Sequence, residues 1–119
     1  MNFISDYRFY RVLSVGWMAM IYWLSCQSEL PILVLFRGQD KLEHALVFGM
    51  LSVFFFRSFR PLEERPPFSR VLLITFMVAT FGGFDEAHQH FVSGREASLW
   101  DLAADVTGGF LAAILFWRR

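Results

Sequence analysis

Four apolar stretches, each bounded by charged or turn-forming residues, account for most of the chain and leave few ways to fold it. They occupy residues 9–26 ("FYRVLSVGWMAMIYWLSC"), 42–59 ("LEHALVFGMLSVFFFRSF"), 68–84 ("FSRVLLITFMVATFGGF") and 98–117 ("SLWDLAADVTGGFLAAILFW"). Crossing a hydrocarbon layer of about 30 Å takes roughly 20 helical residues, and the last three stretches approach that length only with their polar ends included. Composition argues in the same direction. Fifteen residues are Phe and four are Trp, and 18% are charged, below the roughly 25% of soluble domains. A chain of 119 residues has room for one domain and, in water, only a modest core. The expectation is therefore an all-α, four-transmembrane-helix bundle forming a single domain over residues 1–119.

The first stretch has the look of an export signal, but Trp23 and Tyr22 stand where a cleavage site wants small residues, so a retained helix is expected. "WLSC" is likewise a poor lipoprotein box, with Trp23 in place of Leu. Between the second and third stretches, "RPLEERPP" reads as a hydrated turn. Cys26 is the single cysteine, which excludes an intramolecular disulfide and a multi-cysteine metal site. Eleven basic and eleven acidic side chains cancel, and the total charge gives no reason to expect nucleic acid as a partner.

Where the charges sit is more informative than their sum. Arg8, Arg11, Arg57, Arg60, Arg65, Arg70, Arg118 and Arg119 fall on one side of the four stretches, and Arg37, Lys41 and Arg95 on the other. By the positive-inside rule both termini and the proline-rich turn face the cytoplasm, and the first and third loops face outward. The expected location is the inner (plasma) membrane, crossed several times, with membrane lipid as the surrounding partner.

Depth follows from helix rise. His44 is thirteen residues from Arg57, Asp85 fifteen from Arg70, and Asp105 thirteen from Arg118. At 1.5 Å per residue each lies about 20 Å above the cytoplasmic arginines, so three helices bring an ionisable group to one level. A charge facing lipid there costs at least about 2.5 kcal/mol, so the three should turn toward one another. Spacing agrees, since Asp40 and His44, Asp85 and Gln89, and Asp101 and Asp105 are four apart. Ala104, Gly108 and Ala112 form a small-residue ridge on which a neighbouring helix can approach closely.

Two motifs, "DKLEHALVFGML" from Asp40 and "DEAHQHFVSGREASLWDLAADVTGG" from Asp85, carry a resemblance to the VanZ-like family of small membrane proteins. The family pattern has the form D-K-x-x-H-x-x-x-F, D-E-x-x-Q-x-F-x-x-x-R and D-x-x-x-N-x-x-G. By position it marks Asp40, Lys41, His44, Phe48, Asp85, Glu86, Gln89, Phe91, Arg95, Ser98, Asp101 and Gly108. Asp105 stands where the family commonly shows Asn. The resemblance implies a role at the cell envelope, since the namesake is associated with low-level teicoplanin resistance, but no reaction.

The candidate catalytic residues are His44, Asp85, Glu86 and Asp105, and the candidate substrate-binding residues are Asp40, Lys41, Gln89, Arg95, Ser98 and Asp101. Two readings stay open. In one, an enzyme acts on a lipid-linked phosphate or head group, with Arg95 and Lys41 on phosphate, His44 as general acid or base, and Asp85 or Asp105 orienting it or attacking. In the other, the same pocket binds an envelope lipid, a glycopeptide or a partner helix without turnover. A proton or ion path is a weaker third, because the cytoplasmic half lacks matching acids. Blander readings stand beside these: an interfacial Asp40–Lys41 pair, a carbonyl-bonded His44, and Asp85 and Asp105 as hydrogen-bonding glue between helices. His88 and His90 are two apart and diverge on one helix. Oxygen donors on Asp85, Glu86, Asp101 or Asp105 suit magnesium, manganese or calcium, yet their spacing matches no metal template, so metal and cofactor stay unassigned. Four short spans also leave room for a second copy of the chain as partner.

Overall fold

The computed structural model describes residues 6–28, 32–59 and 66–119, and every regular element within them is an α-helix. The helices are α1 (Tyr7–Ser25), α2 (Gln39–Ser58), α3 (Phe68–Gln89) and α4 (Leu99–Trp117). Most of the expected proline-rich turn, including Arg60, Pro61 and Arg65, lies outside the described residues.

Local chemistry sets the helix ends. The Asp6 carboxylate accepts the Arg8 backbone N–H at 2.8 Å and caps α1, and Ser98 Oγ accepts the Asp101 N–H at 3.4 Å and caps α4. Both satisfy donors that a first helical turn leaves free. α2 follows Gly38, whose φ of 85° lies in the left-handed region that glycine enters without penalty. Ahead of α3, Pro67 holds the chain extended at φ −69° and ψ 152°.

Helix and apolar stretch do not coincide. α3 continues five residues past Phe84 to Gln89, and α2 starts three residues before Leu42. Hydrophobicity reports where lipid ends, whereas backbone hydrogen bonding runs on into the polar interface. α3 and α4 are long and apolar enough to cross a membrane. α1, diluted by Arg8 and Arg11, and α2, diluted by Lys41, Glu43, His44 and Arg57, fall short of that apolarity.

Much of the apolar surface faces outward. Val12, Leu72, Phe76, Phe84, Leu111 and Leu115 are each more than half exposed. A water-soluble bundle would bury such side chains, because contiguous apolar patches of this kind are not left in water. The core proper is narrow. Leu51, Val71, Ile74, Val78 and Ala113 have no exposure at all and join α2, α3 and α4.

The closest helix contact is between α2 and α4, and small residues permit it. A Cβ on Gly108 would land on the Ala45 backbone carbonyl, and one on Gly49 would sit 3.3 Å from the Gly108 carbonyl oxygen and 3.8 Å from Ala112 Cβ. The ridge read from sequence is thus a seam against α2. Ser52 Oγ donates across the same seam to the Gly109 carbonyl at 2.6 Å, and Trp17 Nε1 donates to the Val47 carbonyl at 2.9 Å, fastening α1 to α2. This tight packing fixes how the facing polar residues of α2 and α4 meet.

Candidate functional site

The α2–α4 seam ends in an imidazole and a carboxylate. His44, in the second turn of α2, donates through Nδ1 to Asp105 Oδ1 at 2.7 Å, and Asp105 is fully buried. An ionised carboxylate only accepts, so with Asp105 charged the Nδ1 carries a proton, while Nε2 presents a lone pair in the neutral ring and a second proton toward Asp101 in the imidazolium. Nε2 lies 3.8 Å from Asp101 Oδ2, one helical turn above Asp105. The ring is also stacked on Phe48, with a 4° interplanar angle.

α3 brings two more acids to this end. Asp85 and Glu86 are buried in its last turn at 1% and 6% exposure. Gln89, one turn on, donates to Asp85 Oδ2 and to Ser25 Oγ, both at 3.2 Å, and so ties α3 to the end of α1. Glu86 Oε2 accepts the Ser98 backbone N–H at 3.0 Å. Asp85 Oδ1, Glu86 Oε1 and Asp105 Oδ2 are buried and have no hydrogen-bond partner among the described residues. Three such oxygens at one end of a small bundle are unusual, because buried polar atoms are ordinarily paired.

The cations are committed elsewhere. Lys41 Nζ bonds Asp40 at 2.6 Å and Asp101 Oδ1 at 2.5 Å. Just outside the apolar span, the Lys41 ammonium holds the Asp40 carboxyl below the usual carboxylate range. Hydrogen bonds to Asp101 and Asp40 in turn raise the Lys41 ammonium above its ordinary value. Arg95 donates through Nε to the Gln27 carbonyl at 2.7 Å and through Nη2 to the Leu24 carbonyl at 2.8 Å, so it closes the C-terminal end of α1. Among the described residues no ion pair joins Arg95 to Asp85, Glu86, Asp101 or Asp105. Arg95 and Lys41 therefore do not form a joint clamp. Ser98 acts as the cap of α4 and the latch on Glu86 rather than as a free hydroxyl in a pocket.

A cleft of about 510 Å³ opens beside these groups. Ile21, Leu24, Ile32, Val34 and Phe36 give it an apolar wall, while His44, Asp85 and Gln89 give it buried polar atoms, with Arg37, Asp40 and Arg95 also lining it. The wall formed by residues 32–36 is pinned by Gln39, whose Oε1 accepts the Leu35 N–H at 2.7 Å and whose Nε2 donates to the Leu33 carbonyl at 2.9 Å and to Glu43 Oε1 at 2.8 Å. Gln39, Glu43 and Ser25 were not singled out in sequence. The available signal was the run "ILVLF", which is too apolar for an ordinary hydrated loop. His88 faces away from the acids, its ring 4.6 Å from that of Tyr22 and its Nε2 3.8 Å from Cys26 Sγ, and His90 is exposed at the end of α3.

The family model described as VanZ/LLP1 matches residues 1–119, the whole chain. The chain belongs to the VanZ/LLP1 family. No curated protein and no solved structure matches it. Together with the two helices apolar enough to span, membership makes this a membrane protein. The positions on which the resemblance rested divide in this VanZ/LLP1 chain. Asp40, Lys41, His44, Asp85, Glu86, Gln89 and Asp101 gather at the same end of the bundle as Asp105. Phe48 and Gly108 pack the helices beneath, and Phe91 is 86% exposed.

Proposed function

We propose that the protein is a multi-pass enzyme of the cell (inner) membrane, with both termini cytoplasmic, that acts on the phosphate-bearing head group of an envelope lipid. The observation that carries this reading is the cleft itself, which joins a wall of five apolar side chains to the free buried oxygen of Asp85. A lipid has the same division, an acyl chain for Ile32, Val34 and Phe36 and a polar head for the end where Asp85 and Gln89 sit. Arg37 lines the cleft, is exposed and makes no ion pair among the described residues, so it is the cation left to meet a phosphate oxygen.

Asp85 takes the proton-transfer role. Water attacks phosphorus, its proton passes to Asp85 Oδ1, the bond from phosphorus to the lipid alcohol breaks, and Asp85 returns the proton to the leaving alkoxide. His44 is less suited to that role than the sequence implied, because its basic Nε2 is turned toward Asp101. Asp105 holds the ring in that orientation.

The test is release of phosphate or head group from envelope lipids by purified protein in detergent. Asp85→Asn should lower turnover at least about a hundredfold, in the range general-base loss usually costs, with helix content unchanged. Turnover unaffected by the substitution rejects the assignment. Tight retention of a phospholipid with no release by the unmodified protein supports the non-catalytic alternative, in which the cleft binds an envelope lipid or glycopeptide as in a teicoplanin-resistance role.

A further inference from the structure

We infer that His44, Glu86 and Asp101 form a binding site for one divalent cation of the Mn2+ or Zn2+ kind, at the junction of α2, α3 and α4. One ligand atom from each residue lies within 4.8 Å of the other two. Neighbouring ligands of a tetrahedral ion at about 2.1 Å are roughly 3.4 Å apart, so side-chain rotations of about an ångström close the set. The residues come from three helices whose relative positions are fixed by the Gly108 seam and the Ser98 latch on Glu86.

Two further observations point to a ligand rather than to a mere collection of acids. Glu86 is more than nine-tenths buried, and its Oε1 has no partner among the described residues although its other oxygen is held by Ser98. His44 is placed as metal-binding histidines are, with Nδ1 on a buried carboxylate and Nε2, which bears the lone pair in the neutral ring, facing the Asp101 carboxylate. The 3.8 Å between Nε2 and Asp101 Oδ2 is too long for a hydrogen bond and well suited to two ligands of one ion.

Charge balance agrees. With His44 neutral as a ligand, Lys41 is the one cation in ion-pair range of Asp85, Glu86, Asp101 or Asp105 among the described residues, it reaches Asp101 alone of the four, and it is shared with Asp40. Four carboxylates at the end of a membrane bundle need more positive charge than that. One imidazole with two carboxylates favours Mn2+ or Zn2+ over Mg2+, which prefers all-oxygen surroundings and keeps its waters. Bound there, the cation lowers the charge that a phosphate entering the neighbouring cleft meets. That use in turnover rests on the function proposed above, whereas the binding does not.

Protein in detergent, stripped with chelator, is titrated with Mn2+ while the free ion is followed by its electron paramagnetic resonance signal. The expected result is uptake of one Mn2+ per chain, displaced by Zn2+, with Glu86→Gln and His44→Gln each weakening it by at least about tenfold and Glu96→Gln, in the exposed third loop, leaving it unchanged. Glu86→Gln keeps an oxygen for the Ser98 N–H, so it tests the site even where His44→Gln unfolds the chain. No stoichiometric uptake, or wild-type affinity in Glu86→Gln, overturns the inference. Uptake of Mn2+ without release of phosphate from any envelope lipid keeps the cation site and rejects the hydrolytic reading, and release without uptake does the reverse.

Discussion

Asp105 is the residue on which the polar end turns, and its neighbours allow a sharp comparison. It is fully buried, gives one oxygen to His44 and leaves the other unpartnered. Asp105→Asn still offers an oxygen to the His44 Nδ1–H and removes a buried charge, so its thermal unfolding midpoint in detergent should equal or exceed that of the unmodified protein. Asp105→Ala strands the His44 Nδ1–H, which costs about 1–3 kcal/mol, and its midpoint should fall. Equal midpoints for the two variants would show that the bond contributes nothing. Residues such as Asp105 were legible in sequence because a titratable group inside an apolar run has no cheap alternative to a partner. Ser25, Gln39 and Glu43 were not, because they sit at helix ends where polar residues are ordinary. Only the fold reveals that Ser25 holds Gln89 and that Gln39 holds the 32–36 segment. Gln39→Ala should therefore leave the midpoint nearly unchanged, yet make the 32–36 backbone amides exchange with deuterium at least about tenfold faster, since each lost bond is worth about 1 kcal/mol or more where it closes a local opening.

Helices were easier to foresee than their ends. Four apolar stretches predict four helices, and four are present, with the polar last turn of α3 at Asp85, Glu86 and Gln89 continuing the helix past Phe84, as the four-residue spacing of Asp85 and Gln89 implied. That turn matters most for the site, and hydrophobicity is silent about it. Small residues carried the other element-scale signal. The four-residue spacing of Ala104, Gly108 and Ala112 named a face without naming its partner, which turns out to be α2 at Ala45 and Gly49. Because the Ala45 carbonyl is backbone, it cannot rotate away from a methyl group at position 108. Gly108→Ala should force α2 and α4 apart, destabilise the fold by about 3 kcal/mol, as severe overpacking does, and separate His44 from Asp105. Gly16→Ala is the matched control, since nothing lies within 4 Å of its would-be Cβ. It should be neutral or stabilise α1 by up to about 1 kcal/mol. A Gly108→Ala protein as stable as Gly16→Ala would mean that the helices do not meet as described.

At the scale of the whole molecule, the long dimension of 46 Å matches a bilayer of about 40–45 Å with its head groups. The polar cluster lies toward one end of that dimension, among the first turns of α2 and α4 and the last turn of α3. Which face of the membrane that end meets is predicted from the basic residues at and beyond the helix ends. In the sequence eight arginines fall on the side of the termini and the proline-rich turn, against three basic residues on the other, and the positive-inside rule predicts that the richer side is cytoplasmic. The same rule predicts that the cleft opens toward the outer leaflet. The prediction is made in a Cys26→Ser background, because Cys26 is exposed near the same end. Ser93→Cys, in the exposed turn after α3, should react with a membrane-impermeant maleimide on intact cells, and Arg119→Cys should react only after permeabilisation. The opposite pattern would place the cleft at the cytoplasmic leaflet and remove every envelope substrate that exists only outside. Labelling of both sites in intact cells would indicate that α4, the helix between them, does not cross.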